Sequence, residues 1–200
     1  MNKIRGFKIR LRKREILRTL KYDSRYTVLD PGTENLIQST IERAYELICP
    51  CAVYKTFAVA TEDFSVVKDD ITLGSIRVQK MLRKAPAFSL MAVTIGDELE
   101  SEVDRIKKDN MTEAYILDAA GSEAAEQSVN FVSKMLTEEA IKSECHLSDR
   151  YSPGYGDWPL EASKRILKYL DKEKIDIHLS DSGIMRPRKS ITALQVWITG

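Results

Sequence analysis

The sequence predicts an α+β domain built on an antiparallel sheet. Segments with the pattern of strands (residues 7–11, 52–60, 88–95 and 190–198) mix with segments of helical spacing, without the regular strand–helix alternation of a doubly wound fold. The 200 residues carry no low-complexity linker, internal repeat or Pro/Gly-rich hinge, so residues 1–200 read as a single domain. Apolar residues make up 43% and charged residues 30%, the balance of a folded chain rather than a disordered one.

The leading segment is basic. Residues 1–21 hold Lys3, Arg5, Lys8, Arg10, Arg12, Lys13, Arg14, Arg18 and Lys21 against a single acid, Glu15. Phe7, Ile9 and Leu11 alternate with Lys8, Arg10 and Arg12, the period of a half-buried strand, and Ile16, Leu17 and Leu20 follow at helical spacing. Such a segment can meet nucleic acid or an acidic protein, although a solvated face is the favoured reading of a charge run. Asp30-Pro31-Gly32 then reads as a turn before a helix over 33–48, whose Leu36, Ile37, Ile41, Ala44, Leu47 and Ile48 share one side. Val53, Phe57 and Val59 mark a strand over 52–60, and residues 71–82 carry weaker strand signals around Gly74.

Residues 88–95 form an apolar run stopped by Gly96, a buried strand. Leu99, Val103 and Ile106 give a helix over 97–108, and a longer helix is predicted over 112–142. The long helix contains Asp118, Gly121, Ser122 and Glu123 among alanines, a small-residue patch that suits either close packing or a ligand. A loop follows Arg150, then a helix over 159–171, with Pro159 in its first turn and Asp157 as its cap. Strands over 175–179 and 190–198 close the chain, separated by an Asp181-Ser182-Gly183 turn and the basic run Arg186, Arg188, Lys189.

Several function classes fall away. The longest apolar run, 87–95, is far short of the ~20 residues of a membrane-spanning helix, and no signal-peptide pattern follows the basic start. Three cysteines, an odd number, fit a cytoplasmic location and structural thiols. Cys49-Pro50-Cys51 lacks the two-residue redox or zinc spacing, and Cys145-His146 has only His178 as a further imidazole, so no metal site is expected. No dinucleotide glycine turn, phosphate-binding loop or nucleophile elbow is present.

The informative segment is Arg150-Tyr-Ser-Pro-Gly-Tyr-Gly-Asp-Trp-Pro159. Pro153 and Gly154 suit the two central positions of a type II turn, a stiff loop that a ligand ring can approach closely. Arg150 offers a planar fork for a carboxylate, and Tyr151, Tyr155 and Trp158 place three aromatic faces beside it. The same residues also build purely structural corners.

Arg150, Pro153, Gly154 and Tyr155 resemble the R-x-x-P-G-Y signature of the activation domain of cobalamin-dependent methionine synthase. The resemblance continues through residues 160–170 and 179–190, and less specifically through Thr94-Ile95-Gly96 and the helix carrying Asp118 and Glu123, covering about residues 85–200. It implies a curved, helmet-shaped antiparallel sheet with flanking helices. It also implies S-adenosylmethionine in a shallow groove, its methyl group offered to oxidised cobalamin while an electron donor such as flavodoxin reduces it.

Carried over by position, Arg150 holds the cofactor carboxylate, Ser152 and Gly154 line the adenosine through their backbones, Tyr155 packs beside it, and Pro153 belongs to the same cofactor-binding loop. Glu144 balances the sulfonium charge. Gln195 or Val196 stands where the long enzymes carry an aromatic wall on the last strand, and their N-terminal acidic ligand has no counterpart here. The chain has neither a cobalamin-binding Asp-x-His-x-x-Gly motif nor a methyltransferase barrel. The cobalamin is therefore expected on a partner, a methionine synthase lacking its own activation domain. Two rivals stand beside this reading: a self-sufficient methyltransferase, which needs its own acceptor pocket, and a nucleic-acid-binding protein using the basic segment, which ranks last.

Overall fold

The computed structural model describes residues 1–23, 25, 28–170, 175–180 and 183–199. Five antiparallel strands, β1 (Asn2–Arg5), β2 (Cys51–Ala58), β3 (Ala87–Thr94), β4 (Cys145–Leu147) and β7 (Ser190–Thr199), form one sheet in the order β1-β2-β3-β7-β4. The sheet curls into a half-barrel, as the predicted fold class requires. Its centre is β3, whose eight residues are all buried because both faces of the sheet are covered; this is why the sequence reads there as one apolar run.

The alternation of side chains along β3 and β7 divides the core. On one face Met91, Val93 and Ala193 pack against Val129, Val132 and Leu136 of α6 (Met111–Lys142), a 32-residue helix about 48 Å long. Helices α1 (Lys13–Thr19), α2 (Pro31–Leu47) and α5 (Glu98–Ile106) pack on α6. On the other face Leu90, Ala92, Leu194 and Val196 meet Val67 and Ile71 of α3 (Phe64–Thr72), Val78 and Leu82 of α4 (Ile76–Leu82), and Ile166 and Leu167 of α7 (Ala162–Tyr169). A short hairpin, β5 (His178–Leu179) with β6 (Met185–Arg186), stands apart from the main sheet. No described helix is long and apolar enough to cross a membrane.

Several expectations need correction. Residues 7–12 pair with no strand. Their alternation is real, with Phe7 and Ile9 half-buried, Leu11 buried, and Lys8 and Arg10 exposed, but the inward face lies on helices. Phe7 stacks on Phe131 of α6 at 4.5 Å, the Leu11 amide donates to the Tyr45 hydroxyl of α2, and Arg12 donates to buried Glu123 at 2.8 Å. Residues 71–82 are not a strand either: α3 ends there and α4 begins, separated at Leu73 and Gly74, both at positive φ. Pro31 and Gly32 open α2 rather than a turn, with Asp30 capping the Thr33 amide.

Helix α7 starts at Ala162, three residues later than predicted, and its expected end at Asp171 lies outside the described residues, as do Asp181 and Ser182 of the predicted turn. Only His178 and Leu179 of the strand predicted over 175–179 are paired. The basic run is engaged within the chain: Arg186 and Arg188 pair with Glu100, Arg188 also with Asp104, and Lys189 with Asp118 at 2.8 Å.

Candidate functional site

The loop after Arg150 is built from the edge of the sheet outward. Beyond β4 the chain returns beside β7, where Tyr151 and Leu194 exchange both backbone hydrogen bonds at 2.9 and 2.8 Å. Ser152 to Tyr155 then turn back, the Tyr155 amide donating to the Ser152 carbonyl, with Pro153 at the second position and Gly154 at φ 90° at the third. That is the type II turn the sequence predicts. The Gly154 amide donates to the Trp158 carbonyl at 2.8 Å, closing the loop.

The three aromatic residues have different fates. Trp158 is buried, donates through Nε1 to the Ile71 carbonyl at 2.8 Å, and stacks on Tyr151 with ring centres 5.6 Å apart. Tyr151 is buried as well, and its hydroxyl donates to the Tyr155 carbonyl. Only Tyr155, 69% exposed, keeps an open ring, so two of the three expected ligand faces belong to the core and its margin. Asp157 does not cap α7. Its carboxylate accepts from the Ser75 hydroxyl at 2.7 Å and the Arg77 amide at 3.1 Å, binding the loop to the start of α4. The Ser75 hydroxyl foremost, then the Arg77 amide, holds the Asp157 carboxyl below its usual range.

An open cleft of about 600 Å³ lies beside this loop. It is lined by Glu126 of α6, by Arg150, Tyr151, Ser152, Pro153, Tyr155 and Gly156 of the loop, by Ser190 to Thr192 of β7, and by Ser163 of α7, Met185 of β6 and Arg77 of α4. Arg150 donates to Glu126 at 2.6 Å and to Asn130 at 3.1 Å, two of a guanidinium's five N–H groups. Strand β7 carries further donors and acceptors. Because Leu194 bonds outward to Tyr151, the alternation of an antiparallel ladder turns the Thr192 amide and carbonyl outward too, and among the described residues no backbone group meets them. The cleft thus offers a carboxylate, two guanidiniums, a strand edge unpaired among the described residues and the open ring of Tyr155, the convergent polar groups and modest volume typical of a small-molecule site.

The structure brings together four of the predicted site residues, Arg150, Ser152, Pro153 and Tyr155, and sets Gly154 at the turn next to them. Two lie elsewhere. Glu144 is exposed and precedes Cys145, which pairs with Thr199; it is removed from Thr192 of the groove by the strand from Thr192 to Thr199, roughly 23 Å at about 3.3 Å per residue. Gln195 points to the α6 face, where it accepts from the Ser133 hydroxyl and donates to the Ser148 carbonyl, both side-chain atoms engaged. Sequence reasoning missed Arg77, Glu126, Ser163 and Thr192, which come from four elements distant in the chain. The small-residue patch of α6 is packing: a Cβ on Gly121 would sit 2.6 Å from Leu99 Cδ2. A second cavity, about 340 Å³ between α1, α2 and α6, is lined by Leu17, Leu20, Leu29, Ile37 and Ile116 and has little to orient a polar ligand.

No family model matches the sequence, and no curated protein matches it. Among solved structures, the chain is similar to the MetH reactivation domain bound to AdoHcy, with a TM-score of 0.67 over 98% of this chain and 78% of that one. At 14% identity this likeness is one of fold. It agrees with the α+β architecture predicted from the mixed strand and helix patterns and with the curved sheet that the resemblance implies, and the solved domain is bound to AdoHcy.

Proposed function

We propose that the groove beside the Arg150 loop binds S-adenosylmethionine and its product AdoHcy, and that the chain serves the reactivation of cobalamin held by a separate methionine synthase. The observation that carries this reading is the type II turn at Pro153-Gly154, set against Arg150 and an unpaired strand edge, on a fold shared with an AdoHcy-bound reactivation domain. In this reading the Thr192 edge and the backbone of the Ser152 turn meet the adenosine, and Tyr155 covers it. Arg150 takes the carboxylate with the N–H groups that Glu126 and Asn130 leave open. Glu126, which lines the groove, replaces Glu144 as the carboxylate nearest the ligand's positive charges.

S-adenosylmethionine supplies an electrophilic methyl group, and its acceptor, reduced cobalt, belongs to the partner. The residues of this chain position and orient; holding the reacting groups together makes their encounter effectively unimolecular. A docking surface follows from the exposed cations of the leading segment, Lys3, Arg5, Lys8, Arg10 and Arg14, since those of the 186–189 run are paired internally.

Calorimetry with S-adenosylmethionine and AdoHcy tests binding. Arg150→Ala is expected to weaken it by about 1.5–3 kcal/mol, the range for hydrogen bonds to a charged group. The role itself is tested by adding the protein to oxidised methionine synthase truncated after its cobalamin domain. Turnover should return only with both S-adenosylmethionine and a reductant such as flavodoxin, and more slowly at raised salt. Rescue without S-adenosylmethionine overturns the role.

A further inference from the structure

The groove holds two guanidiniums in different states. Arg150 is committed to Glu126 and Asn130. Arg77 has no carboxylate within ion-pair reach among the described residues; Asp157 engages its backbone amide only. Yet Arg77 is held in place at both ends. Its main chain is fixed through Asp157, and its guanidinium carbon lies 4.7 Å from the centre of the Tyr151 ring, whose other neighbour in the stack is Trp158. Stacking on an aromatic face fixes the plane of a guanidinium while leaving its N–H edge open. The result is a pre-positioned, unneutralised cation lining a cleft in which, among the described residues, the one carboxylate already serves Arg150.

We propose that Arg77 is the anion-recognising residue of this groove: it grips the carboxylate of an adenosyl amino acid together with Arg150, and it favours ligands with neutral sulfur over a sulfonium. The proposal rests on the reading of the groove as an adenosyl-ligand site. A bare cation beside low-dielectric walls attracts an anionic group and repels a second positive charge. AdoHcy, whose sulfur is a neutral thioether, presents to this field only the carboxylate and ammonium of its amino-acid end. S-adenosylmethionine presents the same carboxylate and adds a fixed positive charge on sulfur.

The test titrates wild type, Arg77→Gln and Arg77→Lys with AdoHcy, S-adenosylmethionine and methylthioadenosine, which keeps the nucleoside and thioether but lacks the amino-acid end. Arg77→Gln should weaken AdoHcy about tenfold or more, the scale of a lost charge-assisted hydrogen bond. It should weaken S-adenosylmethionine by a smaller factor and leave methylthioadenosine within about twofold, because only the carboxylate contact is removed. Arg77→Lys, which keeps the charge, should fall between. Unchanged AdoHcy affinity overturns the proposal, and so does a parallel loss of all three ligands, which makes the stack merely structural. A loss for S-adenosylmethionine as large as for AdoHcy removes the sulfur preference. If wild type binds none of the three, the adenosyl reading of the groove fails. Titration with ADP then decides Arg77 separately: binding lost in Arg77→Gln keeps it as the anion residue of the groove, and no binding overturns it.

Discussion

Two segments invite a ligand on composition, the small-residue stretch of α6 around Gly121 and the loop after Arg150, and they use glycine for opposite ends. At Gly121 the helix is pressed so closely on α5 that a Cβ would stand 2.6 Å from Leu99 Cδ2, and a second neighbour, Lys189, waits at 3.4 Å. At Gly154 a Cβ would find only Leu160 Cδ1 at 3.5 Å, but the backbone sits at φ 90°, where side chains are strained. One glycine is required by what surrounds it, the other by the path of the chain. The first kind closes space and the second shapes the turn that stands beside the cleft.

The loop is nonetheless not purely a binding element, and its largest expected mutational effect shows why. Trp158 is 1% exposed, with its indole N–H committed to the Ile71 carbonyl. Trp158→Ala should cost about 3–5 kcal/mol of stability, as for other large aromatic truncations in cores, measured by chemical denaturation. A cost below about 1 kcal/mol would mean the loop is docked on the surface and not anchored in the core. Next in size comes Gly121→Val, expected to cost about 1–3 kcal/mol through overpacking against Leu99. The affinity of the folded fraction for AdoHcy should not change, since Gly121 does not border the cleft; a selective loss of binding would restore the small-residue patch as a ligand site.

The sequence exposes these roles unevenly, for physical reasons. β3 and β7, α5 and α6 were legible because burial imposes a period on apolar residues, and the turn at Pro153-Gly154 was legible because few residues tolerate its angles. Residues 7–12 misled because alternation reports which side is buried, not whether the partner is a strand; here it is Phe131 and Glu123 of α6. Helices α3 and α4 were obscured by their brevity and by the break at Leu73-Gly74, although Phe64, Val67 and Ile71 do keep helical spacing. Half of the groove was illegible in principle. Arg77, Glu126 and Thr192 come to line one cleft with Arg150 only through tertiary packing, and no local spacing announces a contact across 24 residues of chain, as between Glu126 and Arg150.

A smaller effect separates shape from space more directly. Gly154→Val should lose about 1–2 kcal/mol of stability, the cost of a left-handed conformation for a residue with a Cβ, while AdoHcy affinity falls further than stability does. Denaturation and calorimetry on the same preparation give both numbers. A variant that loses stability as heavily as Trp158→Ala would place Gly154 with the packing glycines instead.

The smallest expected effect concerns how the loop is tied to α4. Asp157 accepts from the Ser75 hydroxyl and the Arg77 amide, and both bonds favour its ionised form, so its folded pKa lies below the unfolded one. The sign follows from linkage. A depressed carboxyl contributes stability that is fully present above the unfolded value, about 3.9, and that is lost as pH falls through the folded value, because the protonated group accepts these bonds less well. Asp157→Asn removes the titration while keeping one carbonyl oxygen as acceptor. Wild type should therefore exceed Asp157→Asn in stability near neutral pH by a modest margin, and the two curves should converge once the pH drops below about 3.9. Because the same carboxylate fixes the main chain of Arg77, the affinity of Asp157→Asn for AdoHcy at neutral pH should fall while its affinity for methylthioadenosine holds. A stability gap that persists unchanged into acid would show that Asp157 acts by shape and not by charge. The link between the loop and the guanidinium of Arg77 would then rest on the Tyr151 stack alone.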